Sequence, residues 1–254
     1  MKSKLALLTA ALSVAAIAPA FADDDFKHHM VSGGWLYIDP QTESTPLATR
    51  FFAGPAAGST VTSPGTSATI SKESTLGLTY TYLVDDHWSM EFVGGLPPKF
   101  DLSASGQSTF GDLGANKPLA TVKQWSPTLL GIYTFLDHTY KVRPYVGMGL
   151  VYTKFTDIKL NPAFVQQIKT AAAGFGPVNV SASADDNVAP VVTVGMNYEF
   201  AKDWYGILSA SYSPVETNAN VSLTSGLNGS QLAYSSTHVK LDPLVTYLGV
   251  GYRF

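Results

Sequence analysis

The chain has 254 residues, no cysteine, and 14% charged residues against 12% aromatic ones. A soluble domain of this size normally carries about a quarter charged residues, and without cysteine there are neither disulfides nor thiolate metal sites. The formal net charge of −3 supplies no basic face of the kind on which nucleic-acid binding rests.

The N-terminus reads as an export signal. Lys2 and Lys4 precede an uncharged apolar stretch from Leu5 to Ile17, and Pro19-Ala20-Phe21-Ala22 ends in an Ala-x-Ala site before Asp23. That order predicts a cleaved signal peptide over residues 1–22, with an apolar core too short to span a bilayer. A retained helical anchor is the alternative. The mature chain, 23–254, reads as a single domain. It contains no apolar run near 20 residues, so a helical membrane protein is excluded and a β-barrel or a secreted sandwich remains.

Strand-like segments run about 28–38, 71–84, 87–100, 119–136, 141–157, 187–200, 203–221 and 237–254. Three connections are tight: Asp85-Asp86, Asp137 to Tyr140, and Ala201 to Asp203. Four are long: 39–70, 101–118, 158–186 and 222–236, rich in Ser, Thr, Gly, Pro and Asn as loops are. Short and long connections alternate strictly. This predicts an all-β fold, an eight-stranded antiparallel up-and-down transmembrane β-barrel with short periplasmic turns and long extracellular loops.

The pleat sends successive residues to opposite faces. In the last strand Leu244, Thr246, Leu248, Val250, Tyr252 and Phe254 share the expected lipid face, and Val245, Tyr247, Gly249, Gly251 and Arg253 the lumen. Val188, Pro190, Val192, Val194 and Met196 alternate with Thr193, Gly195, Asn197 and Glu199 in the same way, as do Val146, Met148 and Leu150 with Arg143, Tyr145 and Gly147. Tyr82, Trp88, Tyr133, Phe135, Tyr198, Phe200, Trp204, Tyr252 and Phe254 gather at the periplasmic ends, as an interfacial girdle would. In strand four, Leu129, Gly131, Tyr133 and Phe135 compete with Leu130, Ile132 and Thr134 for the outer face. Periodicity does not decide between the two sets. If Leu130 and Ile132 point inward, they join Tyr145 and Tyr247 in an apolar part of the lumen.

Three stretches resemble the OmpW family of eight-stranded outer-membrane barrels. They are Trp125-Ser-Pro-Thr-Leu-Leu-Gly-Ile-Tyr-Thr-Phe135, Val142-Arg-Pro-Tyr-Val-Gly-Met-Gly-Leu-Val-Tyr152, and the terminal segment from Leu241 to Phe254. Trp35 to Pro40 and Leu96-Pro97-Pro98-Lys99 are similar too, while the long loops do not obviously match. The resemblance implies an outer-membrane location and a narrow apolar channel that passes small hydrophobic compounds. It leaves outer-membrane lipids, a small hydrophobic solute and the barrel-assembly machinery, engaged by the C-terminal strand ending in Phe254, as the expected partners.

Three constellations stand out. Arg143, Glu199 and Arg253 face inward near the periplasmic end with Glu91 somewhat higher, and charges removed from bulk water need partners. They predict a cross-barrel ion-pair floor, or else charges that simply solvate a wet lumen. Pro97, Pro98 and Pro127 reach similar height on neighbouring strands. Proline gives the ladder no N–H, so the three mark either a lateral gate or the plain end of paired strand at the interface. Asn161, Pro162 and Gly174 frame a short helix by their cap preferences. Its Phe164, Val165 and Ile168 would form a lid or pack against neighbouring loops.

None of His28, His29, His87, His138 or His238 stands in a metal-ligand pattern, and no spacing marks a nucleophile with its base. The sequence gives no reason to expect an enzyme, a metal or a cofactor. Two functions compete: a passive conduit for small hydrophobic molecules with lateral release, and a structural or surface-recognition barrel acting through its loops as adhesin or receptor.

Overall fold

The computed structural model describes residues 26–254; the expected signal peptide and its cleavage site lie outside the described residues. Eight strands form a closed barrel. They are β1 (His29–Asp39), β2 (Glu73–Leu83), β3 (Trp88–Gly95), β4 (Thr128–Thr134), β5 (Val142–Leu160), β6 (Asn187–Ala201), β7 (Trp204–Tyr212) and β8 (Leu244–Arg253). Each pairs antiparallel with its neighbours in the chain. The ring closes where β8 pairs β1, from Met30 opposite Arg253 to Asp39 opposite Leu244. Closure leaves no strand edge at membrane level, the condition for a sheet to stand in lipid.

The tight turns have local causes. Asp85 Oδ1 accepts from the backbone N–H groups of His87 and Trp88, both at 2.7 Å, and these donors hold its carboxyl below the usual carboxylate range. Asp137 Oδ1 does the same for Thr139 N–H at 2.9 Å, and Asp203 takes the left-handed φ of 66° that its turn requires.

The alternation expected from the sequence is the observed one. Met148, Leu150, Val188, Val192, Val194, Leu208, Leu244 and Leu248 all point outward and exposed, while Arg143, Tyr145, Thr193, Tyr247 and Arg253 are buried inside. A belt of exposed rings surrounds the turn end: Trp88, Phe135, Tyr198, Phe200, Trp204, Tyr252 and Phe254. Tyr133 packs edge-on between Trp88 and Phe135, at 5.0 and 5.4 Å between ring centroids. The terminal Phe254 is anchored by backbone bonds to His29 in both directions, at 2.8 and 3.2 Å. The ambiguity of β4 is resolved: Leu130, Ile132 and Thr134 are buried in the lumen and Leu129 is half exposed to the outside.

The long loops differ from expectation. Much of 39–70, 101–118, 158–186 and 222–236 is paired strand that carries the barrel wall beyond the membrane. One outer sheet places Ser67–Ile70 beside Lys99–Ser105, then Ala120–Trp125, then the upper half of β5. The other orders Val178–Ala184, Glu216–Ser225, Gln231–Lys240, Leu47–Phe51 and Thr60–Ser63. Ala68 N–H donates to Ser44 Oγ at 2.8 Å and so ties the two sheets together. These strands stand in water and alternate small apolar residues with Ser, Thr and Asn, so their composition reads as loop although their period is two.

Four strands expected to run unbroken are interrupted. The expected 87–100 stops at Gly95 and resumes at Lys99, 119–136 breaks at Ser126-Pro127, 203–221 at Ser213 to Val215, and 237–254 at Leu241 to Pro243. Every break contains proline, which cannot donate to a neighbour.

Glycines on the inner face make room for two rings. A Cβ added at Gly195 would lie 2.5 Å from the Tyr145 ring and 2.6 Å from the Leu208 carbonyl, and one at Gly249 would strike Tyr247. Gly195→Val is therefore expected to destabilise the barrel by about 1–3 kcal/mol through overpacking. Urea unfolding of the protein in lipid vesicles measures this, and an unshifted midpoint would show that the rings yield freely.

Candidate functional site

The lumen is organised as a floor, a lower cavity, a neck and an upper cavity. The floor is filled by Met30, Arg143, Tyr205, Ile207 and Arg253, all buried. Eight strands enclose just enough space for side chains to fill, so this end offers no water-filled channel.

The expected ion-pair floor is not what the structure contains. The Arg143 guanidinium donates to the carbonyls of Asp86 and Leu136, the latter at 3.0 Å. Arg253 donates to the Lys27 carbonyl at 2.6 Å and stacks 4.4 Å from the Phe26 ring centroid. Glu199 Oε1 accepts from Asp203 N–H at 3.3 Å, and Glu91 Oε2 accepts from the Thr81 hydroxyl at 2.9 Å. Among the described residues no ion pair joins any two of the four. Backbone carbonyls left free at the barrel end satisfy the arginines, which removes the need for carboxylate partners. Glu91 stands above the floor, as expected.

The lower cavity holds about 430 Å³. Its walls bring together Leu36, Ile38, Val93, Leu130, Val151, Val191, Val215 and Val245 with Glu91, Thr79, Thr193, Ser209, Ser211 and Tyr247. The same cavity is lined by Gly94 to Pro98 on one side and Gln124 to Thr128 on the other, so all three singled-out prolines border it. The β3–β4 ladder ends at Val93 opposite Thr128 and resumes only at Lys99 opposite Lys123. Across that gap Pro98 O accepts from Gln124 N–H at 3.1 Å. The remaining backbone turns elsewhere: Leu96 N–H bonds to Leu76 O at 3.0 Å, and Pro127 O accepts from Tyr152 N–H at 3.0 Å. Leu96 and Trp125 stand exposed on its outer rim.

Above the cavity Val151, Ala189, Val215, Val239 and Leu241 pack together with Ile70, Phe155 and Ala219. Val151 and Val215 belong to the lower cavity, whereas Ile70, Phe155, Ala219 and Val239 line an upper one of about 130 Å³. This apolar neck separates the two. The upper cavity lies between the outer sheets beneath α1 (Pro162–Ala171). Asn161 caps the helix by accepting from Ala163 N–H at 2.9 Å, and Pro162 opens it as expected. The stop differs: Ala172 is the C-cap, and the left-handed glycine is Gly176 rather than Gly174. Phe164 and Ile168 are buried and line the upper cavity, while Val165 is half-buried and does not.

With this geometry in view the comparisons with known proteins are unambiguous. The OmpW family model matches residues 52–254. Outer membrane protein W of Escherichia coli strain K12 is 32% identical over 198 residues, covering 78% of this chain and 81% of that protein. The chain belongs to the OmpW family. Its fold is similar to the crystal structure of OprG from Pseudomonas aeruginosa, with a TM-score of 0.71 at 25% identity, covering 90% of this chain and 96% of that one. A further relative, the dibenzothiophene metabolism operon protein PahQ of Pseudomonas aeruginosa, is 26% identical over 192 residues, covering 75% of this chain and 76% of that protein. Like its OmpW relatives, the protein is an outer-membrane barrel.

Some of the site escaped the sequence. Ser209, Ser211 and Ser213 were not singled out, although their alternation on the inner face of one segment is the signal that could have found them. The neck left no such signal, because its residues come from five separated segments. The closed floor carries a consequence that vesicles can test. Vesicles containing the barrel are expected to swell in a sugar solution no faster than protein-free vesicles, and rapid swelling would show an open periplasmic end.

Proposed function

We propose that this OmpW-family barrel conducts small hydrophobic molecules passively, from the outer mouth through the neck into the lower cavity, and releases them sideways into the bilayer. The interrupted β3–β4 ladder carries this reading. A closed barrel in lipid normally pairs every backbone group, because each unmatched one costs several kcal/mol. Here Pro97, Pro98 and Pro127, none of which can donate, fall in the stretch where the β3–β4 ladder lapses, and an apolar cavity lies directly behind it. With the floor filled, the seam is the exit that the cavity walls favour. The name of PahQ ties one relative to an operon for metabolism of an aromatic sulfur heterocycle, a solute of the chemistry that such a cavity suits. The surface-recognition alternative draws less support, since most apolar side chains of the outer segments pack inward around Phe164 and Ile168, and those that stand exposed, such as Leu227, Phe52 and Val61, are scattered along the chain.

Replacing Pro97, Pro98 and Pro127 by Val or Thr is expected to close the seam and lower uptake of a hydrophobic solute severalfold, with heat-modifiable gel migration unchanged. Uptake equal to that of the unaltered protein counts against the lateral exit. The neck makes a second prediction. Val215→Ala widens it and should favour a bicyclic aromatic solute over a linear alkane of equal carbon number; an unaltered preference places the limiting constriction elsewhere.

A further inference from the structure

The proposed conduit explains the apolar walls of the lower cavity but not the carboxylate set into them. Glu91 faces inward from β3, and the part of its side chain that remains exposed belongs to the cavity surface. Its cross-strand neighbours are Thr81 on one side and Leu130 on the other. The Thr81 hydroxyl donates to Oε2 at 2.9 Å. Among the described residues nothing donates to Oε1 and no cation pairs with the group. The two lumen arginines are already engaged by backbone carbonyls at the floor.

The surrounding hydroxyls do not relieve it. Tyr247 OH bonds to Ser32 Oγ at 2.8 Å, Ser32 Oγ also bonds to Thr79 Oγ1 at 2.6 Å, and Ser211 Oγ donates to Thr193 Oγ1 at 3.0 Å. These groups satisfy one another, so that among the described residues lining the cavity Glu91 is the one carboxylate, and it has spare capacity; the Thr153 hydroxyl, near the neck, is a weaker group that also lacks a partner. A buried carboxylate with a single donor is costly, and a donor arriving with the solute lowers that cost. Above Glu91 the wall turns apolar, through Val93, Val191 and Val151, and the ladder break begins at Gly94. Three residues of strand separate the two, roughly 10 Å at about 3.3 Å per residue, the reach of a medium-length alkyl chain.

We infer that Glu91 is a head-group subsite: it receives the ammonium or hydroxyl donor of a small amphiphile whose apolar body lies along the cavity toward the Pro97–Pro127 seam. The inference rests on the conduit reading and narrows its substrate class. Pure hydrocarbons pass without engaging Glu91. Alkylamines and alkanols are held by it, the amine more strongly, because a cation supplies the missing counter-charge as well as the hydrogen bond.

The test uses cells whose outer membrane carries the unaltered barrel, Glu91→Gln, Glu91→Leu or no barrel, each given octane, octanol and octylamine. The readout is the barrel-dependent part of uptake, expressed relative to octane so that expression level and partitioning cancel. In Glu91→Leu the octylamine-to-octane ratio is expected to fall roughly tenfold, the scale of one hydrogen bond to a charged group. Glu91→Gln should keep most of the octanol preference and lose that for the amine. Leucine fills the volume of the glutamate, and heat-modifiable migration reports whether the variant barrels are folded. An octylamine-to-octane ratio unchanged in Glu91→Leu overturns the subsite and leaves the conduit standing. Absence of any barrel-dependent uptake of all three solutes overturns the conduit, and the subsite with it.

Discussion

The structure depends on one constraint: within lipid, a backbone N–H or C=O has no water to turn to. An unmatched group there costs several kcal/mol, so the sheet must close on itself, as β8 does by pairing β1 over the whole length from Met30 to Asp39. Closure fixes almost everything else at membrane level. It separates a lipid face from a lumen face, so that residues alternate strictly between them, and makes any residue that cannot donate conspicuous. Proline then acquires positional meaning. Five prolines (Pro97, Pro98, Pro127, Pro214 and Pro243) sit at the four strand breaks, all toward the outer end, where the wall passes from lipid to water.

The breaks are not equivalent. At the β7–β8 level the interruption is bridged: Leu241 N–H donates to Val215 O at 2.8 Å, and Leu241 O accepts from Gln41 N–H at 2.8 Å. Ser213 Oγ adds a bond to Pro190 O at 2.7 Å. At the β3–β4 level one longer bond, from Gln124 N–H to Pro98 O at 3.1 Å, crosses the gap, while Leu96 and Pro127 turn toward β2 and β5 and the cavity reaches the edges. Loss of a donor weakens a seam only where no neighbouring side chain or backbone replaces it. This distinguishes the seam between β3 and β4 from the other break.

How much was legible followed from the medium around each segment. At membrane level the exterior is uniformly apolar, so alternation alone placed Met148, Val194 and Leu248 outside and Tyr145, Tyr247 and Arg253 inside. Strand four resisted because Leu130 and Ile132 are as apolar as Leu129 and Tyr133; its lumen face borders a greasy cavity, and the contrast on which periodicity depends disappears. The outer segments failed for the opposite reason. With water on one side and small residues packed on the other, strands such as Val178–Ala184 lack the bulky alternation of lipid-facing ones. The ion-pair floor failed because pairing was judged from side chains alone. Arg143 and Arg253 lie beside backbone carbonyls at the strand ends, Asp86 O, Leu136 O and Lys27 O, and acceptors of that kind do not show in a residue string.

A passive route also has to avoid holding its cargo. The hydrophobic term, about 25 cal/mol per Å² of apolar surface removed from water, is gained when a solute leaves water for the apolar upper cavity. Passing from there to the lower cavity and then to acyl chains exchanges one apolar surrounding for another, so each later step lies near balance. This is the arrangement transport needs, because a site that binds too well stops flux. The neck of Val151, Val215 and Val239 is mainly apolar, with the hydroxyls of Thr153 and Thr217 set among its valines, and the seam rim of Leu96 and Trp125 is already exposed on the outside. On such a nearly level path a single carboxylate at Glu91 acts less as a trap than as a filter. One hydrogen bond is enough to bias which amphiphiles dwell beside the seam, and too little to keep them there.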